Sequence, residues 1–238
     1  MAYERSAQYY DSIYAALGKD YAAEAAAIRG FIARHKHNGG VALLDVACGT
    51  GGHLTFLREW FDAEGVDDNA AMLEIAARRL PGTPLHRADM TDFRLPHRFD
   101  AITCLFSAIG HAQPLDRMRA AIATMARHLN LGGVLLVEPW ITPDEWRPEG
   151  RVDADFVDEP GLKVARINTA AREGDVSILD MHYLVGTPRG IEYFSERFGL
   201  GLYAHEQYAA ALRDAGLEPS FDPHGLIGRG MHIGVSAP

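Results

Sequence analysis

The spacing of apolar residues changes along the chain and predicts two kinds of structure. In the first part, short apolar runs such as VALLDVA alternate with longer segments whose apolar residues recur at helical spacing. Strands alternating with helices form a parallel sheet covered on both faces, so we expect a doubly wound α/β domain. The predicted helices are 20–35, 52–60, 70–79 and 115–128, and the predicted strands are 41–47, 63–66, 84–89, 99–106 and 132–140.

Residues 153–203 alternate between apolar and polar positions and carry turn signals at REGD and TPRG. This pattern predicts an antiparallel sheet inserted into the α/β domain, with one packed face and one partly polar face. The two predicted faces of its middle strand carry Leu179, Met181, Tyr183 and Val185, and Ile178, Asp180, His182 and Leu184. The predicted parts are an α/β core with an N-terminal helical cap (1–152), the insertion (153–203), and a helix and strands that complete the core (204–238).

Composition excludes several classes of function. A net charge of −9 argues against a groove for nucleic acid, because such grooves are basic. The two cysteines, Cys48 and Cys104, lie in apolar runs and are predicted to be reduced core residues. No apolar run approaches the roughly 18 residues of a membrane span, and no His, Cys, Asp or Glu cluster has metal-ligand spacing. We therefore expect a cytoplasmic protein with no membrane, nucleic-acid or metal partner.

The segment LLDVACGTGGHLTFL places a glycine turn between a strand and a helix. A dinucleotide fingerprint, G-x-G-x-x-G, requires a third glycine where Leu54 stands, so a nicotinamide-dependent oxidoreductase is the weaker alternative. Asp45 ends the strand just ahead of the turn, where a carboxylate suits an amino group or hydroxyls better than a pyrophosphate. The pattern therefore favours S-adenosylmethionine (SAM), which carries a cationic amino-acid end and no phosphate.

The same segment resembles the first motif of class I SAM-dependent methyltransferases. The resemblance implies that Asp67, after the second strand, binds the ribose hydroxyls, and that Asp89 and Met90, after the third, lie at the adenine. The N-terminal tyrosines are implied to cover the methionine end, where Tyr21 would bind the carboxylate. The implied cofactor contacts are Tyr10, Tyr21, Asp45, Ala47, Gly49, Asp67, Met72, Asp89, Met90 and Phe106.

Further motifs resemble the TDP-amino-sugar N,N-dimethyltransferases over nearly the whole chain. They are GKDYAAEA, DMTDFRL, FSAIGH, VEPW, AREGD and GRG, although Ile141 stands where relatives have a second tryptophan and Leu226 and Ile227 precede GRG. The resemblance implies dimethylation of the amino group of a nucleotide-linked deoxysugar. N- or O-methylation of another small molecule, and a non-catalytic SAM sensor, remain alternatives. The implied substrate contacts are Tyr14, His111, Trp140 and Arg229.

His111 is the predicted catalytic residue, although positioning of the reacting groups is expected to contribute more than proton abstraction. His111 would therefore orient an N–H group or relay a proton. The edges of an antiparallel sheet invite pairing, so we expect the insertion to cover the acceptor pocket or to support a homodimer.

Overall fold

The computed structural model describes residues 3–147 and 152–237. Its strands are β1 (Ala42–Val46), β2 (Asp62–Asp67), β3 (Leu85–Arg87), β4 (Phe99–Cys104), β5 (Leu129–Val137), β6 (Val152–Glu159), β7 (Leu162–Glu173), β8 (Val176–Thr187), β9 (Gly190–Gly201), β10 (Leu217–Asp222) and β11 (Met231–Ser236). Its α-helices are α1 (Ala7–Ala16), α2 (Tyr21–His35), α3 (Leu54–Leu57), α4 (Ala70–Arg79), α5 (Leu115–Arg127) and α6 (His205–Asp214). A short 3₁₀-helix spans Ala108–His111.

A seven-stranded sheet forms the centre of the molecule in the order β10-β11-β5-β4-β1-β2-β3. Strands β1 to β5 run parallel, and β11 pairs antiparallel with β5 and with β10. The central strands are apolar and buried on both sides: β4 is buried along its whole length. The predicted doubly wound α/β fold is confirmed, with the carboxyl ends of its parallel strands at one edge.

Strands β6 to β9 form a separate antiparallel sheet joined by short hairpins. In β8 the side chains of Met181, Tyr183 and Val185 are buried, whereas Leu184 on the opposite face is exposed. The buried face packs against Tyr9 and Ile13 of α1. The predicted antiparallel insertion is confirmed.

The largest local departure from the sequence prediction is the helix expected over 52–60. Only α3 is regular, because the backbone tightens after it into turns with Glu59 N bonded to Phe56 O and Trp60 N bonded to Leu57 O. Helix α2 begins where predicted, and the Asp20 side chain accepts a hydrogen bond from the Ala23 amide at 2.9 Å. None of the helices in the described ranges is both long enough and apolar enough to span a bilayer.

Candidate active site

A cavity of about 780 Å³ lies at the carboxyl edge of the parallel sheet, between α1 and the inserted antiparallel sheet. A smaller pocket of about 60 Å³ adjoins it and includes Asp89. Two of the residues predicted for the site, Asp45 and Tyr21, line neither space. The predicted residues that line the large cavity are Tyr10, Tyr14, Ala47, Gly49, Asp67, Met72, Met90, Phe106, His111, Trp140 and Arg229.

The glycine turn after β1 has its shape fixed by Asp67 at the end of β2. The turn contains three positive φ values, 58° at Ala47, 54° at Gly49 and 77° at Gly51. The Asp67 carboxylate accepts hydrogen bonds from the backbone N–H groups of Gly49 and Asn69, both at 2.8 Å. Burial raises the pKa of Asp67, and these two hydrogen bonds oppose the rise. The buried carboxylate at the end of β2 therefore already accepts the hydrogen bond of the Gly49 N–H group in the turn.

This arrangement does not suit a dinucleotide. A pyrophosphate would need the turn's N–H groups free and a positive field at the helix N-terminus. Here the Gly49 N–H group is already bonded to the Asp67 carboxylate, and α3 is only four residues long. Asp67, Met72 and Met90 line one cavity, and a carboxylate with apolar side chains beside it fits the ribose and adenine of a ligand that has no phosphate, such as SAM.

Asp45 lies one layer beneath the cavity. It is 3% exposed and accepts a hydrogen bond of 2.8 Å from the Thr103 hydroxyl. Burial raises the pKa of Asp45 to about 6. The nearby imidazole of His53, which bonds Glu24 Oε2 at 2.7 Å, opposes that rise. Direct contact between Asp45 and the cofactor stays a prediction.

Tyr21 packs behind the glycine turn. Its ring stands edge-on to His53, with centroids 4.9 Å apart, and a Cβ atom at Gly52 would lie only 2.7 Å from it. Lys19, just before it, forms a buried ion pair of 2.7 Å with Glu24. The contact between Tyr21 and the cofactor's carboxylate likewise stays a prediction.

Asp89 lies at the rim of the smaller pocket, beside Met90 and His111. Its carboxylate accepts hydrogen bonds from the Thr91 amide at 2.8 Å and hydroxyl at 2.7 Å, and it pairs with Arg117 at 2.5 Å. Burial alone would raise the pKa of Asp89, but these bonds outweigh it and lower the pKa. The carboxylate is thus held ionised after β3, where its adenine contact stays a prediction.

Helix α1 closes the cavity and ties its two ends together. Toward the glycine turn, Asp11 accepts a hydrogen bond from the Thr50 hydroxyl at 2.7 Å and pairs with Arg79. Toward the inserted sheet, Glu196 of β9 accepts a hydrogen bond from the Ser6 hydroxyl at 2.5 Å. Helix α1 and the residue that precedes it are therefore bonded both to the glycine turn and to the inserted sheet.

The loop after β4 is strained and aims its residues into the cavity. Phe106 and Ser107 adopt positive φ values of 51° and 61°, which non-glycine residues avoid. Glu138, fully buried at the end of β5, accepts the Phe106 N–H bond at 2.6 Å. The Ser107 hydroxyl donates to Pro139 O at 2.7 Å and accepts from Arg229 at 2.8 Å. These bonds hold the loop in its unfavourable conformation.

Arg229 is the cation that this loop anchors. Its guanidinium lies 4.6 Å from the centroid of the Trp140 ring, and burial lowers its pKa. Within the ranges that the structure describes, no carboxylate lies within ion-pair distance of Arg229. The buried carboxylate of Glu138 is close enough to oppose the fall in the pKa of Arg229, but it forms no ion pair with it. A partly buried arginine whose guanidinium has no ion-pair partner is a site for an anionic group of a ligand.

His111 ends the 3₁₀-helix and faces aromatic rings. The Tyr3 and Phe198 centroids lie 5.9 Å and 6.4 Å from its own. Burial lowers the pKa of His111 to about 4, so the imidazole is neutral at physiological pH. A neutral imidazole offers one N–H donor and one acceptor to an incoming group.

Sequence reasoning missed four residues that line this cavity, Tyr3, Ser107, Arg166 and Asn168, and it missed Glu138, which holds the loop beside the cavity. Tyr3 lies close to the start of the described chain and carries no motif. Arg166 and Asn168 share one face of β7, and the period-two pattern that predicted the strand also places them together. The signal was therefore present, but it does not say which face meets the cofactor domain.

Comparison with known proteins decides the family. A methyltransferase domain family matches residues 43–133. The dTDP-3-amino-3,6-dideoxy-alpha-D-glucopyranose N,N-dimethyltransferase of Streptomyces fradiae is 42% identical over 96% of this chain and 90% of its own length. The dTDP-3-amino-3,4,6-trideoxy-alpha-D-glucopyranose N,N-dimethyltransferase of Streptomyces venezuelae is 40% identical over 97% and 98%. The chain belongs to the amino-sugar N,N-dimethyltransferase family.

A solved structure agrees with this assignment. The SAM-bound CalS10, an amino pentose methyltransferase from Micromonospora echinaspora involved in calicheamicin biosynthesis, matches with a TM-score of 0.86 and 39% identity. The match covers 96% of each chain. As a member of the amino-sugar N,N-dimethyltransferase family, the chain is a SAM-dependent methyltransferase. The oxidoreductase alternative is excluded by family and by the geometry of the glycine turn.

Proposed function

We propose that this enzyme transfers methyl groups from SAM to the amino group of a nucleotide-linked deoxysugar, and that it does so twice. The observation that carries the proposal is Arg229, a cation that forms no ion pair in the described chain and shares one cavity with the glycine turn. The protein carries a net charge of −9, so its general field repels an anionic substrate. A nucleotide diphosphate therefore needs a pre-positioned cation, and Arg229 on Trp140 supplies one.

The relatives support the acceptor class. The two curated relatives act on dTDP-linked 3-amino sugars that differ in whether oxygen is kept at position 4 of the ring. We infer that the acceptor of this enzyme is also a dTDP-linked amino-deoxysugar. The diphosphate would lie at Arg229 and Trp140, and the amino group near His111 and Tyr14.

We assign the cofactor contacts by the position of each side chain. Asp67 would bind the ribose hydroxyls, Met72 and Met90 would contact the adenine, and the glycine turn would pass under the methionine chain. When bound, SAM supplies an electrophilic methyl group on a sulfonium, whose departure leaves a neutral thioether. Closure by α1 and its tyrosines excludes water from that centre.

The sizes of the possible catalytic effects indicate what the protein must contribute to the reaction. Correct alignment of two reacting groups accounts for about 7–11 kcal/mol, whereas a general base supplies about 10²–10⁴-fold in rate. The amine must present its lone pair in line with the methyl carbon and release one proton for each methyl gained. We propose that the neutral imidazole of His111 accepts a hydrogen bond from the amine N–H, which orients the lone pair, and that the proton released after each transfer is lost to solvent.

We further propose that two copies associate through the outer face of the inserted sheet. Phe156, Leu184, Ile191 and Tyr193 lie on that face and are 50–77% exposed. Exposed apolar surface of this kind is typical of an interface. Sedimentation should give a dimer for the wild type and a monomer for Leu184→Glu. A wild-type monomer would contradict this proposal.

Because both cysteines are free and buried, we place the enzyme in the reducing cytoplasm.

Calorimetry tests the proposed substrates separately. SAM and TDP should each bind with a saturable heat, and each should still bind when the other is present, because they occupy different ends of the cavity. NAD at the same concentration should give no heat. Binding of SAM without TDP would leave the methyltransferase intact and remove the nucleotide-sugar assignment.

A further inference from the structure

Asn168 is a polar side chain of the cavity for which the described chain supplies no hydrogen-bond partner. Asn168 of β7 is 8% exposed and lines the cavity, yet its amide forms no hydrogen bond with any residue that the structure describes. Arg166, two residues earlier on the same face, is paired: its Nε and Nη2 atoms lie 2.8 Å and 2.6 Å from Asp155 Oδ2. The inserted sheet thus satisfies one buried polar group and leaves the next one open.

Asn168 has polar and apolar neighbours on its face of the sheet. Its register partners are Asp153 on β6 and Met181 on β8, and Ala170 and Leu179 line the cavity beside it. A buried amide without a partner costs free energy. The polar group is therefore accounted for by a ligand that completes it.

Asn168 lines the same cavity as His111 and Arg229, the two ends of the proposed acceptor site. Two residues further along β7, Ala170 pairs with Leu179, and Leu179 pairs with Phe198, whose ring lies 6.4 Å from that of His111. Two residues beyond that, Arg172 donates a hydrogen bond of 3.3 Å to Pro143 O, which places β7 against the segment that follows Trp140. A sugar whose amine lies near His111 and whose diphosphate lies at Arg229 therefore occupies the cavity that this face of β7 lines.

We propose that Asn168 binds a ring hydroxyl next to the reacting amine and makes the enzyme select amino sugars that keep this hydroxyl. The amide is neutral and both donates and accepts, which matches a hydroxyl. A site built to bond a hydroxyl rejects the analogue that lacks it, because the protein group is then left unpaired. This inference rests on the proposed nucleotide-sugar substrate and names which member of that class is used.

The test compares three acceptors: dTDP-3-amino-3,6-dideoxyglucose, its 4-deoxy analogue and its 2-deoxy analogue. For the wild type, we expect kcat/KM to fall by about ten- to a hundredfold when one of the two neighbouring hydroxyls is removed. Asn168→Leu should bring that ratio within about threefold, chiefly by lowering kcat/KM for the hydroxylated sugar. SAM affinity should stay unchanged.

Two further variants keep the test decisive. Asn168→Ala removes the amide without filling the space, so it must also abolish the selectivity if the effect is not steric. Thr169→Ala changes the next residue of β7, which is exposed on the opposite face, and should keep the wild-type ratio. Equal ratios in wild type and Asn168→Leu, with unchanged Tm, would overturn the inference. No turnover of any of these sugars by the wild type would remove the proposed function and this inference with it.

Discussion

The two ends of the cavity are built in different ways. At the cofactor end, the backbone itself is the surface: Ala47, Gly49 and Gly51 adopt positive φ values, and Asp67 fixes the turn through backbone N–H groups. At the acceptor end, side chains from distant parts of the chain converge, such as Arg229 bonded to Ser107 across 122 residues.

The difference teaches where shared chemistry and selectivity reside. In the proposed arrangement, a cofactor common to many enzymes is held by local backbone geometry, which tolerates little change. An acceptor that differs between relatives is held by single side chains from separate loops and from the inserted sheet, which can be exchanged one at a time without disturbing the parallel core. Substitutions at the cofactor end should therefore change SAM affinity, and substitutions at the acceptor end should change KM for the sugar.

The largest effect is expected for Asp67→Ala. The change removes two hydrogen bonds to backbone N–H groups of the cofactor site together with the proposed ribose contact, so SAM affinity should fall by about 10²-fold or more. Calorimetry should show TDP binding within about threefold of wild type. Asp62→Ala, at the exposed start of the same strand, is the control. Equal losses for both ligands would mean that the two ends are not separable.

Arg229→Ala should weaken binding of the sugar and leave binding of SAM intact. A charge-assisted contact to phosphate contributes about 1.5–3 kcal/mol, so KM for a dTDP-amino sugar should rise about ten- to a hundredfold with SAM affinity unchanged. Steady-state kinetics measure the first quantity and calorimetry the second. Arg189→Ala, in an exposed hairpin, is the matched arginine control. An unchanged KM would contradict the assignment of the diphosphate site.

His111→Ala should have a smaller effect, on kcat. If His111 orients the amine and is not an indispensable base, kcat should fall by less than about 10²-fold, the lower bound for general base catalysis. His111→Asn, which retains a hydrogen-bonding group, should recover part of the rate. A loss of 10⁴-fold or more, unrescued by asparagine, would instead identify an essential base.

The smallest effect is expected when pH is lowered and His111 becomes protonated. Burial holds its pKa at about 4, below the ordinary value of 6.5, so the folded protein keeps the imidazole neutral where the unfolded chain would take up a proton. Stability from this group is therefore present above pH 6.5 and is lost as pH falls toward 4. In the NMR spectrum its ring resonances should not titrate between about pH 8 and pH 5.5. A midpoint near 6.5 would show that the site is open to water.

The cofactor half of the fold was predictable because its signals are local. The strand, glycine turn and strand-end acid of Asp45, Gly49 and Asp67 follow one another within a short stretch, and the structure has them at one edge of the sheet. The same reasoning did not predict which way the side chain of Asp45 points. A side chain near the end of a strand can point to either side of the sheet, and that of Asp45 faces Thr103 beneath the cavity.

The acceptor half was less predictable. The period of two gave the inserted sheet and its two faces, but it carries no information on which face packs against the cofactor domain. The role of Glu138 depends on Phe106, which is 32 residues away in sequence. The role of Asn168 depends on its having no hydrogen-bond partner among the described residues of the folded cavity. Such features emerge only from tertiary packing.

Mass spectrometry of the complete reaction tests the central claim most directly. Enzyme, SAM and a dTDP-3-amino-deoxysugar should yield a monomethyl product that appears first and then converts to a dimethyl product. Omission of SAM should abolish both, and Arg229→Ala should slow both at limiting sugar. If SAM binds but no offered dTDP-amino sugar gains a methyl group, the account of the acceptor end is wrong.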